Sequence, residues 1–114
     1  MALDPLRPGD MRDQITIQSP TRTSDGGGGS ITTGWYTIAE PRAEVVPISG
    51  GETFRLGVER STQFYRIRIW YRDGITVAYR LLLADAPLNI RSVDDPDRRR
   101  RELMIMAESG VADG

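Results

Sequence analysis

Three aspartates within four residues, Asp94, Asp95 and Asp97, are followed at once by four arginines, Arg98 to Arg101. Clustered carboxylates can ligate a divalent cation. A calcium loop, however, needs more oxygen ligands at fixed spacing, and Pro96 inside the cluster marks a turn. The arginine run could hold phosphate. The aspartates before it nearly cancel its charge, and it reads better as a solvated strand start with alternate arginines splayed to two faces. Four consecutive glycines, Gly26 to Gly29, could cradle a phosphate, but a P-loop needs a lysine and the chain has none. They read as a flexible hairpin tip. The chain also lacks histidine and cysteine. That removes the commonest general base, the commonest zinc ligand and any thiol nucleophile or disulfide. Nothing is left to activate the serines and threonines in the usual way. The expectation is a protein with no catalytic residues, no metal site and no cofactor.

A second group of side chains suggests contact rather than catalysis. From Gln63 to Arg72 the residues alternate strictly. Tyr65, Ile67, Ile69 and Tyr71 share one face of a strand; Phe64, Arg66, Arg68, Trp70 and Arg72 share the other. Aromatics beside arginines can stack single-stranded nucleic acid. They are equally the residues enriched at protein–protein interfaces. With 15 basic residues, all of them arginine, against 16 acidic ones, the charge is near neutral. That favours a subunit interface over a nucleic-acid surface.

Those faces must be carried by strands. A chain of 114 residues is the size of one domain. Gln14 to Gln18 alternates with Ile15 and Ile17 inward, and Pro20 is expected to end that strand. Residues 20–34 read as a loop, and strand character returns over Trp35 to Val46, interrupted by Pro41. Asp73-Gly74 is a tight turn after the Gln63–Arg72 strand. A strand follows near Tyr79 or Arg80 to Leu83, then a turn at Asp85-Ala86-Pro87. Leu88, Ile90 and Val93 form another strand, whose spacing implies a bulge or an end to pairing near Ser92. The last runs from about Arg99 to Ala107. Ser49 to Ser61 breaks the pattern: a long excursion with glycines at 50, 51 and 57 and room for one or two helical turns. The expected fold is all-β, a small six-stranded barrel or sandwich over residues 14–108 with one long loop able to hold a short helix. An N-terminal arm covers residues 1–13 and a flexible tail residues 109–114. No apolar run is long enough for a membrane span, and the N-terminus lacks the apolar centre of a signal peptide, so no membrane association is expected.

The order of these pieces resembles the small head–tail connector proteins of tailed phages, also called head closure or stopper proteins, and their counterparts in gene transfer agents and prophages. The likeness runs over about residues 6 to 109. It begins with Leu6-Arg7-Pro8-Gly9 and the strand Gln14 to Gln18, then a glycine loop and Trp35. Ala43-Glu44-Val45-Val46-Pro47-Ile48-Ser49-Gly50-Gly51-Glu52 follows, then the arginine-rich strand Tyr65 to Arg72. Leu88 to Val93, a charged turn and Glu102-Leu103-Met104-Ile105-Met106 close it. Two departures stand out. Relatives more often carry a bulkier tip than Gly26 to Gly29, and an aromatic is common at the position of Leu88.

The resemblance implies a homo-oligomeric ring, in such proteins commonly of twelve copies, below the portal and its adaptor. Such a ring extends the DNA channel, retains packaged double-stranded DNA without reading its sequence, and offers the platform for tail terminator or tail proteins. It implies assembly in the bacterial host cytoplasm and residence in the neck of the particle. The excursion is then the expected working part: Gly50, Gly51, Glu52, Phe54, Arg55, Leu56, Val58, Glu59 and Arg60 would reach the channel or an adjacent ring. The alternative class is a small nucleic-acid-binding barrel, marked by strongly salt-dependent DNA binding.

Overall fold

Period-two alternation builds almost all of the observed structure. The computed structural model describes residues 5–24, 26–48 and 63–109. A 3-10 turn, Pro8–Asp10, precedes seven strands: β1 Asp13–Ser24, β2 Ser30–Ala39, β3 Arg42–Ile48, β4 Phe64–Trp70, β5 Arg80–Leu83, β6 Ala86–Asp94 and β7 Glu102–Glu108. All pairings are antiparallel. The strands follow the order β2-β1-β3-β4-β7-β6-β5, and β5 pairs back onto β1. The ring β1-β3-β4-β7-β6-β5 is therefore closed into a barrel, which removes most exposed edges.

Six strands were expected, and seven are present among the described residues. The difference lies at Glu40-Pro41, where the single strand foreseen from Trp35 to Val46 divides into β2 and β3. A proline has no N–H to give the ladder, so the path breaks there. Pro20 does not end β1. It pairs with Trp35, beyond Gln18, the last β1 residue bonded to β5. One edge of β1 is open there, and a proline is tolerated. The foreseen loop over residues 20–34 is thus a long two-stranded ribbon with glycines at its tip. Pro87 belongs to β6, and β7 starts at Glu102 rather than Arg99.

The core is what the alternation requires. Ile15 and Ile17 of β1, Ile67 and Ile69 of β4, Leu81, Leu88 and Ile105 are fully buried. Each contributes roughly 2 kcal/mol by leaving water. Tyr65 and Tyr71 pack against this cluster from the same face of β4. Of the bulge or end to pairing expected near Ser92, β6 has the bulge, a register shift between Ile90 and Ser92, and its pairing runs on to Asp94. Asp73-Gly74 turns with Gly74 at φ 88°. The β5–β6 turn is less usual. Both central residues, Ala84 and Asp85, are left-handed, at φ 50° and 69°. This is the two-residue hairpin turn that Asn-Gly normally supplies.

Residues 5–12 fold back onto the barrel. Leu6 and Met11 are buried although neither joins the barrel core, and the Leu6 N–H donates to Glu102 Oε2 at 3.1 Å. The Ser49–Ser61 excursion lies outside the described residues. Among the described residues, no helix is long and apolar enough to cross a membrane.

Candidate interaction surface

The non-core face of β4 carries four of the five side chains singled out as an interface, and the fold treats them unequally. Arg68 is not on the surface, as its place in the alternation suggested; it is 4% exposed. Its position opposite Glu44 in the β3–β4 register allows a bidentate pair. Nε donates to Glu44 Oε1 at 2.7 Å and Nη2 to Glu44 Oε2 at 3.1 Å. Nη1 donates to Glu102 Oε1 at 3.3 Å. The hydrogen bond to Glu44 is the largest cause that raises the guanidinium pKa above its ordinary value, against a smaller opposing effect of burial. Glu102 also accepts from Leu6, so one ion triad joins β3, β4, β7 and the leader.

Trp70, two residues on, is 46% exposed. Arg72 lies past the strand end and is exposed. Phe64 and Arg66 are half-buried, and Arg66 Nε is enclosed without a hydrogen-bond partner among the described residues. Trp70, Tyr71 and Arg72 form one wall of a cleft of about 430 Å3 whose other walls are Pro8, Met11, Pro41 and Arg42. The cleft is mainly apolar and is flanked by two guanidinium groups. Neither Arg42 nor Arg72 has a carboxylate partner among the described residues. The Tyr71 hydroxyl donates to Asp73 Oδ1 at 2.6 Å, the main cause that raises the phenol pKa.

Sequence reasoning placed Trp70 and Arg72 at a contact surface but did not foresee Pro8, Met11, Pro41 or Arg42 beside them. The usable signal was Leu6 and Met11, apolar residues set among the charges, prolines and glycine of residues 5–12. A second apolar stripe was missed on β2, where Ile31, Tyr36 and Ile38 are exposed. Trp35 is instead covered by Arg80, whose guanidinium stacks 4.6 Å from the ring centre.

The aspartate–arginine run is a turn held by its own charges. Asp97 Oδ1 accepts the Arg99 N–H at 3.0 Å, Asp95 Oδ2 accepts the Arg100 N–H at 2.9 Å, and Arg101 reaches Asp97 Oδ2 at 2.8 Å. The Arg99 N–H is the chief cause that lowers the Asp97 pKa. Arg98 and Arg100 are left-handed, so the run is not the splayed strand start that was expected. Among the described residues no group of acidic side chains is arranged to hold a metal ion. Gly50, Gly51, Glu52, Phe54, Arg55, Leu56, Val58, Glu59 and Arg60 lie outside the described residues.

A closed antiparallel barrel with a pinned leader and an apolar, arginine-flanked cleft has the form of a small assembly subunit. The family model of the phage head completion protein matches residues 6–110, and the chain belongs to that family, which carries a structural role at the phage head. Protein SF1141 from Shigella flexneri 2a is 32% identical, with a TM-score of 0.66; the match covers 94% of this chain and 99% of that one. A chain in the virion of a native gene transfer agent particle shares the fold, with a TM-score of 0.68 at 23% identity, covering 86% of this chain and 93% of that one. No curated protein matches.

Proposed function

We propose that the chain is a head closure subunit: a ring of copies below the portal and adaptor that extends the DNA channel, retains packaged DNA and receives the tail. The match of the head completion family over residues 6–110 carries this reading. The barrel supports it, because a rigid closed sheet can present several surfaces at once. One is the cleft beside Trp70 and another the apolar stripe on β2. In this reading the excursion faces the channel or an adjacent ring, Phe64, Arg66, Trp70 and Arg72 serve subunit contacts, and Arg68 holds the frame behind them. The protein acts without catalysis, during assembly in the host cytoplasm and then in the neck of the particle.

The test is a particle-producing strain from which the chain is deleted. Heads should fill and then lose DNA, and tails should remain unjoined. Purified chain added to such heads should restore joining. Stable DNA-filled heads that join tails without the chain would refute the proposal. Tight, salt-dependent DNA binding by the isolated chain at ~150 mM salt would favour a nucleic-acid-binding barrel instead.

A further inference from the structure

Resting on that reading, we infer that the cleft between β3 and β4 receives the β5–β6 turn of the neighbouring copy, so that the ring is built head to tail through this contact. The first support is position. Around the closed barrel the strands run β1, β3, β4, β7, β6, β5. The β3–β4 seam and the β5–β6 seam are three steps apart in either direction, on opposite sides of the barrel. A ring needs two different, complementary patches on each subunit, related by a rotation that closes. Patches on opposite sides meet that requirement.

The second support is charge. Arg42 and Arg72 flank the cleft without a carboxylate partner among the described residues, and the walls offer no acidic side chain. Asp85, at the tip of the β5–β6 turn, is exposed and likewise makes no ion pair among the described residues. A carboxylate between two guanidinium groups forms short, charge-assisted hydrogen bonds.

The third support is shape. The turn is a narrow knob, Ala84-Asp85-Ala86-Pro87, with all four residues exposed. Its alanines and proline are small and apolar, suited to the Trp70 and Pro41 walls. Trp70 is a natural anchor, since tryptophan and arginine dominate interface energetics. The left-handed backbone at Ala84 and Asp85 keeps the knob tight, and Asp85 is exposed at its tip.

The chain has no native cysteine, which makes the test direct. Full-length chain carrying both Asp85→Cys and Arg72→Cys is expressed in the deletion strain. Particles are treated with a short bifunctional maleimide and run on a denaturing gel. The expected result is a ladder of covalent multimers, absent from either single-cysteine variant. In parallel, Asp85→Arg and Arg72→Asp should each reduce incorporation into particles by about tenfold, as loss of an interfacial charge pair does. The two reversals on one chain should restore it. Particles that contain the double-cysteine chain but yield no ladder would overturn the inference and leave the head closure role intact. A wild-type chain absent from particles would instead overturn the head closure reading, and this inference with it.

Discussion

Replacing Arg68 by methionine tests the central claim about the fold, that an ion triad behind the β4 surface pins the leader and the walls of the cleft. The side chain is 4% exposed, and its carboxylate partners retain only 17% and 13% of their side-chain exposure. Arg68→Met leaves Glu44 and Glu102 facing each other without their cation. Breaking a fully buried pair costs about 3–5 kcal/mol. The residual solvent at both carboxylates discounts that to about 2–3 kcal/mol. Unfolding entropy of about 2.1 cal/mol/K per residue gives about 0.24 kcal/mol/K for a chain of this size. The melting temperature should therefore fall by about 10 °C, read by circular dichroism on thermal unfolding. Because the hydrogen bond to Glu44 raises the guanidinium pKa above its ordinary value, the arginine stays charged and its side of this contribution is fully present throughout the working pH range. A second variant separates the orphaned charge from lost packing. Arg68→Met with Glu44→Leu removes the worst repulsion, while Glu102 still holds the Leu6 N–H. It should recover at least half of the loss, since an apolar replacement of a buried pair is often near neutral. A single variant within ~3 °C of wild type, or a double variant less stable than the single, would refute the reasoning.

Ala84→Gly should raise the melting temperature by about 4 °C, because a left-handed alanine costs about 1 kcal/mol that glycine avoids; no change or a decrease would show that the turn is relaxed. The Asp97 carboxyl, followed by NMR, should titrate below its ordinary 3.8. A depressed pKa gives stability present above that value and lost as pH falls through the folded one, so a midpoint at or above 3.8 contradicts the Arg99 and Arg101 contacts. Trp70→Ala should leave the melting temperature within ~3 °C of wild type while impairing incorporation into particles by at least tenfold. A collapse of stability with normal incorporation of the remaining folded protein would make Trp70 a structural residue. Shortening residues 50–60 to a Gly-Ser link should leave the barrel folded but yield particles that leak DNA or fail to join tails; fully competent particles would show that the excursion is dispensable.

Much of the barrel is legible along the chain because strand burial has a period of two residues and turns have local chemistry. Tyr65, Ile67, Ile69 and Tyr71 were assignable to the core face from alternation alone. The irregularity near Ser92 followed from the spacing of Ile90 and Val93, though not whether it was a bulge or an end to pairing, and Asp73-Gly74 followed from turn preferences. The limit appears at Arg68. Alternation says which face a side chain takes but not what covers that face. Its fate was set by Glu44, 24 positions away, by Glu102, 34 away, and by a leader bonded across 96 positions. The cleft depends in the same way on residues 8, 11, 41, 42 and 70 to 72, gathered from three separate stretches. Pro20 and Pro41 look alike as strand breakers, yet one sits inside β1 and the other divides β2 from β3. What separates them is whether a neighbouring strand needs the missing N–H, and only barrel closure decides which edges have neighbours.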